Sequence, residues 1–209
     1  MSIKLGLYDF FTNIIPGFLF LFVISELGKL LGLQTGILSD TSDISQLSVF
    51  VIAAFIIGHT LNLITFPWYR MFVRKHDGQI ALDKVQKLYP DLPISFNHDD
   101  IGIIRTILRD NDEKQSEHIE SLHVNAMFAR NISFGMFLLA IVKLLIFIKD
   151  KSSYDLLLSI GAAVLFPMAI LRARDFYRWF YREIFLGAIK YGFSVKQILK
   201  FIHAKEKKL

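Results

Sequence analysis

The sequence predicts an all-α integral membrane protein with four membrane-spanning helices and a small helical cytoplasmic layer. Of its 209 residues, 53% are hydrophobic and 14% aromatic, and Phe alone occurs 20 times. Four apolar runs approach or reach the roughly 17–25 residues that a helix needs to cross a hydrocarbon core. Alternation of apolar and polar residues at period two is nowhere sustained, so no β-sheet is expected.

The four apolar runs divide the chain into spans, a polar segment and a tail. The runs are Tyr8–Ser25, Leu47–Trp68, Ile132–Ile148 and the shorter Leu156–Leu171. Their apolar centres lack the polar stripe that is typical of a helix in a soluble core. We therefore assign 1–68 to spans one and two, 69–131 to a cytoplasmic helical segment, 132–171 to spans three and four, and 172–209 to a basic amphipathic cytoplasmic tail.

Lysine and arginine lie on alternate sides of this four-pass chain. The loop after span one has one such residue and the loop after span three has two, whereas segment 69–131 has nine and the tail has ten. Positive residues are enriched on the cytoplasmic side of membranes. The distribution therefore predicts that both termini and segment 69–131 are cytoplasmic.

Segment 69–131 is predicted to form three helices. Apolar residues at three- and four-residue spacing indicate a helix that ends at Pro90 and a second helix that begins at Asp99 or Asp100. A break is predicted at Asp112, and a third helix continues from there into span three. Three short helices bury little surface alone, so we expect them to pack on each other, on the tail or on a neighbouring subunit.

The tail has arginines at four-residue spacing, with aromatic residues between them. Aromatic rings prefer the headgroup zone, where arginines meet lipid phosphates, so this pattern favours a helix at the membrane surface. Direct nucleic-acid binding is the less favoured alternative. A further helix is predicted at about 195–207. The residues that we expect to contact lipid or a partner are Arg172, Arg174, Arg178 and Arg182.

Polar residues in span one form one group of functional candidates, because polar groups are costly in lipid and usually face protein or water. Asp9, Asn13 and Gly17 recur every four residues and therefore share one helical face. Pro16 predicts a kink in the same helix.

Span two carries the matching group. Gly58 and Ala54 are small residues four apart, a spacing that permits close helix contact. His59 and Asn62 lie about one turn apart near the middle of the span. We predict that the polar face of span one meets this face of span two, either as hydrogen-bonded contact between helices or as the lining of a pore or a titrating switch.

Lys143 is the cation inside span three. It lies four to five residues from the predicted outer end, so its ammonium is expected to reach the interface by snorkelling. Pore lining is the alternative.

Signals for chemistry are few. Arg70 and His76 have the Arg-x5-His spacing of HEPN ribonucleases, although Arg70 also suits a cytoplasmic anchor. His118 and His123 are five residues apart, whereas zinc pairs on a helix use a spacing of four. The chain has no Cys, no Walker loop, no GxGxxG and no GxSxG motif. We therefore predict no catalytic residue, no metal and no cofactor.

Two segments resemble a known group of proteins. LYDFFTNIIPGF and AAFIIGHTLN are similar to a D-x6-PG opening and a GH helix of small membrane proteins from bacterial anti-phage loci. The matching positions are Asp9, Pro16, Gly17, Gly58 and His59. The four-pass layout also resembles the accessory membrane proteins of type VI-B CRISPR systems. The resemblance implies a non-catalytic accessory in the bacterial inner membrane that modulates RNA-guided defence or perturbs that membrane.

Three functions follow from the sequence as hypotheses. The leading one is a homo-oligomeric membrane effector of bacterial defence that acts by pore formation or depolarisation. The alternative is a scaffold that recruits a cytosolic protein or ribonucleoprotein partner to the membrane lipids. The third is a membrane-tethered HEPN-like ribonuclease.

Overall fold

The computed structural model describes residues 3–33, 44–73, 76–89 and 100–191. These ranges contain six α-helices and no strand, which confirms the all-α class. The helix predicted at about 195–207 lies outside the described residues. The six helices are α1 (Ile3–Leu30), α2 (Ile44–Phe72), α3 (Asp77–Leu88), α4 (Asp100–Asn111), α5 (Glu113–Asp150) and α6 (Ser153–Lys190).

Four of these helices, α1, α2, α5 and α6, contain segments long and apolar enough to cross a membrane. Each of them contains one of the four predicted spans, and together they have the length and composition of a multi-pass membrane protein. Helix α5 begins at Glu113 and continues without a break into span three, as predicted. Helix α6 likewise joins span four to the first part of the tail in one continuous helix.

The chain divides into two compact units, to each of which α5 and α6 contribute residues. We call Met1–Phe72 with Val124–Ala173 the membrane unit, and Val73–His123 with Arg174–Leu209 the polar unit.

The membrane unit packs around two apolar clusters. In one cluster, Val23 of α1 contacts side chains of α5 and α6 that include Val142 and Ala162. In the other, Ile14 of α1 packs with Ala54 of α2. The outward sides of α2 and α6 expose many large apolar side chains, which suits a surface in contact with lipid.

The polar unit has cores of its own, built around α6. Side chains of α4 and α5, among them Leu108 and Ile119, pack against Phe180 and Ile184 of α6. A second cluster joins α3 to Phe185. Of the alternatives expected for the short helices, the described residues show packing on the tail and, for α4 and α5, on each other.

The predicted membrane-surface location is wrong for several aromatic residues of the tail. Tyr177, Phe180 and Phe185 are buried within the polar unit, while Trp179 remains partly exposed. An aromatic stripe at helical spacing fits a protein core as well as it fits a headgroup layer, so spacing alone does not distinguish the two environments.

Asp112 ends α4 and caps α5, at the break that the sequence predicts. Its Oδ1 accepts a hydrogen bond from the backbone N–H of Gln115 (3.0 Å). Its Oδ2 accepts from Lys190 Nζ (3.0 Å) and from the Tyr191 hydroxyl (2.9 Å). These donors, with the Gln115 N–H as the largest contributor, lower the pKa of Asp112 from 3.8 to about 2.

Because the folded-state pKa lies below the unfolded value, the Asp112 carboxylate stabilises the fold above about pH 4, and this stabilisation is lost as the pH falls toward about 2. Asp112→Asn should therefore lower the thermal unfolding midpoint at neutral pH, and the deficit should shrink in acid. The measurement is circular dichroism in detergent at a series of pH values. Asp110→Asn, at an exposed neighbouring site, is the control. A deficit for Asp112→Asn that does not change with pH would contradict the assignment.

Candidate functional site

Helices α1 and α2 contact each other at backbone distance through two glycines. A methyl group built on Gly17 would lie 1.7 Å from the carbonyl oxygen of Ala54, and one built on Gly58 would lie 1.8 Å from that of Asn13. Any side chain at either position would force the helices apart. The structure thus brings the Asn13 and Gly17 face of α1 against the Ala54 and Gly58 face of α2.

The remaining candidates of span one lie in the same helix. Helix α1 continues as one helix through Pro16, whose side chain is buried. Asp9 belongs to α1, but its side chain lies outside what the structure describes.

A cavity of about 390 Å³ lies beside this contact, within the membrane unit. Three of the predicted residues, Asn13, His59 and Asn62, line it together with Asn131 of α5. The wall is mixed, because aromatic and aliphatic side chains surround the polar ones. The described residues that line the cavity are Phe10, Thr12, Asn13, Phe55, His59, Asn62, Val124, Met127, Phe128 and Asn131.

A buried hydrogen-bond network lies next to Asn62 and Asn131 of the cavity wall and joins α2 to α5. Asn62 Oδ1 accepts from Arg130 Nη2 and from Asn131 Nδ2, each at 3.0 Å. Thr65 donates its hydroxyl to Asn131 Oδ1 (2.6 Å) and accepts from Arg130 Nε (3.2 Å). Only 3% of Arg130, 2% of Asn131 and none of Thr65 is exposed.

The donor and acceptor roles in this network are fixed, because a guanidinium can only donate hydrogen bonds. Arg130 supplies donors to both Asn62 and Thr65, so both residues must turn acceptors toward it. Its guanidinium also lies 5.6 Å from the centre of the Phe66 ring, an attractive cation–π arrangement. A charged side chain inside a membrane protein is costly unless it is solvated by partners of this kind.

Sequence analysis did not identify Arg130, Asn131 or Thr65 as site residues. The available signal was Thr65 at three residues from Asn62, which puts both on one face of α2. The Arg130–Asn131 pair directly before an apolar run was a second signal. Neither pattern predicts that α2 packs against α5, and only that packing brings Thr65 into contact with Arg130 and Asn131.

Lys143 does not snorkel, so that expectation is wrong. It is 5% exposed and forms ion pairs with Glu26 of α1 and with Asp155 of α6, the latter at 2.9 Å. Lys29 also binds Glu26, at 2.8 Å. The ammonium of Lys143 remains buried because the carboxylates of Glu26 and Asp155 bind it there. Removal of any one of these three charges would leave the other two buried without full compensation. Lys143 thus connects three helices and does not line the cavity described above.

The tail arginines differ in their surroundings. Arg178 Nε binds the buried carboxylate of Asp77 at 3.2 Å and so ties α6 to α3. Arg182 is near its neighbour Glu183 (3.1 Å), Arg174 is half-buried, and Arg172 is exposed. Of the four, Arg178 therefore has a clear structural role within the polar unit.

Arg70 and His76, the pair that a HEPN-like ribonuclease would use, have other contacts in the structure. Arg70 is exposed at the end of α2, with its guanidinium 5.6 Å from the centre of the Phe66 ring. His76 caps α3 by accepting a hydrogen bond from the Gly78 N–H (3.3 Å), and its ring contacts Tyr181. The two residues belong to different units. Among the described residues, no cluster of three or more His, Cys, Asp or Glu side chains is arranged to hold a metal ion.

Comparisons with protein-family models, with curated proteins and with solved structures return no match for this chain.

The close contact of α1 and α2 gives a direct test. Gly58→Ala should lower the free energy of unfolding by about 1–3 kcal/mol or more. The added methyl group would meet the backbone of Asn13 rather than a movable side chain. Gly161→Ala is the matched control, since a methyl group there has no neighbour within 4 Å and alanine favours a helix by about 1 kcal/mol. Denaturant unfolding in mixed micelles measures both changes. Equal stability of the two variants would exclude the backbone contact.

Proposed function

We propose that the protein is a multi-pass effector of bacterial anti-phage defence that depolarises the inner membrane. The observation that carries the proposal is the cavity of the membrane unit, whose mainly apolar wall includes the polar residues Asn13, His59, Asn62 and Asn131. Polar side chains at membrane depth are expensive and are retained where they face a water-filled path or a partner. Polar residues in the wall of a cavity between otherwise apolar helices are the feature that such a path requires.

Homo-oligomerisation is part of this proposal. His59 lies near the middle of α2 and is exposed in the single chain, whereas its neighbours on the lipid-facing side, such as Ile56 and Leu63, are apolar. Contact with lipid would leave the imidazole nitrogens without hydrogen-bond partners. A second copy of the chain, or water held between copies, would supply them.

The role in defence rests on the resemblance of spans one and two to membrane proteins of anti-phage loci. The cytoplasmic orientation of both termini rests on the distribution of Lys and Arg. The role in defence and the orientation of the termini are both parts of the proposal. Both are compatible with the four helices that are long and apolar enough to cross a membrane.

Replacement of the cavity's polar side chains tests the proposal. The double variant Asn13→Leu, His59→Leu should abolish depolarisation, because apolar side chains in the cavity exclude water and ions. A potential-sensitive dye in cells that express equal amounts of each variant measures the effect. Thr60→Leu is the control, since Thr60 is exposed on α2 but does not line the cavity.

Unchanged depolarisation in the double variant would exclude the cavity as the path. Absence of depolarisation by the unaltered chain would reject the proposed activity itself.

Recruitment of a cytosolic partner is the second candidate, and one observation favours it. The polar unit has its own buried clusters around Phe180 and Phe185, so it is more than a set of loops between spans. A scaffold of this kind would tolerate the double cavity variant in a phage-protection assay but would lose protection when residues 195–209 are removed.

A further inference from the structure

The hydrogen-bond network behind the cavity determines which polar atoms face it. The carbonyl oxygen of Asn62 is already occupied by two donors, Arg130 Nη2 and Asn131 Nδ2. The alternative orientation of this amide would point its NH2 group at the donors of Arg130, which is unfavourable. The NH2 group of Asn62 therefore points away from these two donors, and Asn62 is one of the residues that line the cavity.

The charge behind that amide reinforces its donor character. The guanidinium of Arg130 is permanently positive and hydrogen-bonds directly to Asn62. A donor that is polarised by a cation in a poorly solvated environment attracts acceptors more strongly than one in water.

We infer that the cavity binds anions, with the Asn62 amide as the principal donor and Arg130 as the charge that attracts them. The inference deepens the proposed function, on which it rests for the role of the cavity, by naming the class of solute. A volume of about 390 Å³ admits a small inorganic anion or the phosphate group of a lipid. The aromatic walls at Phe10, Phe55 and Phe128 suit the apolar part of a lipid.

Asn62→Asp is the sharpest variant because it preserves size and the network. The new carboxylate would still accept from Arg130 and Asn131, but its second oxygen would present negative charge to the cavity in place of a donor. Anion binding should weaken about tenfold or more, since a hydrogen bond to a charged group is replaced by repulsion. Asn111→Asp is the matched control, with the same change of charge at an exposed position of α4.

The experiment measures the thermal unfolding midpoint of the purified full-length chain in nonionic detergent. In one arm, sodium nitrate replaces sodium gluconate at constant ionic strength. In the other, phosphatidylglycerol replaces phosphatidylcholine in the micelles. A saturable rise of the midpoint in the unaltered chain and in Asn111→Asp, absent in Asn62→Asp, is the expected result.

The two arms distinguish the sources of the anion. A rise with nitrate supports a free anion, and a rise with phosphatidylglycerol alone supports a lipid phosphate. No rise in either arm, or an equal rise in Asn62→Asp, would overturn the inference. Binding is measured here in detergent, so its failure is separate from a failure of depolarisation in cells.

Discussion

Helices α1 and α2 lie so close at Gly17 and Gly58 that neither position has room for a methyl group. Between membrane helices the hydrophobic effect provides little drive for association, so close packing of small residues and polar contacts must supply it. This contact fixes the rotation of α1 against α2. With that rotation, Asn13 and His59 reach the same cavity, and the rest of the site is built around them.

Two polar clusters fasten the other helices of the membrane unit. Arg130 joins α5 to α2 through the amide of Asn62, and Lys143 joins α5 to α1 and α6 through carboxylates. Each cluster buries a cation where water is scarce, so each demands well-placed partners. The first cluster stands beside an open cavity, whereas the carboxylates of the second neutralise its lysine. This difference is the reason why we propose a ligand on the Arg130 side.

Features that depend on local spacing were predictable, and features that depend on the choice of a partner were not. Span lengths, the break at Asp112 and the small-residue face at Gly58 follow from residues near in sequence. The environment of Lys143 depends on Glu26, which is 117 residues away, and on the packing of three helices. The aromatic stripe that includes Phe180 suited lipid and protein equally, and only the folded polar unit distinguishes the two.

Water access to the cavity tests the account most directly, and a chain without cysteine makes the measurement clean. His59→Cys and Leu63→Cys lie about one turn apart on α2, the first beside the cavity and the second 79% exposed on the apolar surface. A membrane-impermeant thiol reagent is applied to sealed vesicles of both orientations. Cysteine at position 59 should react and cysteine at position 63 should not. Equal labelling of both, or labelling of position 63 alone, would contradict a water-accessible cavity within the membrane.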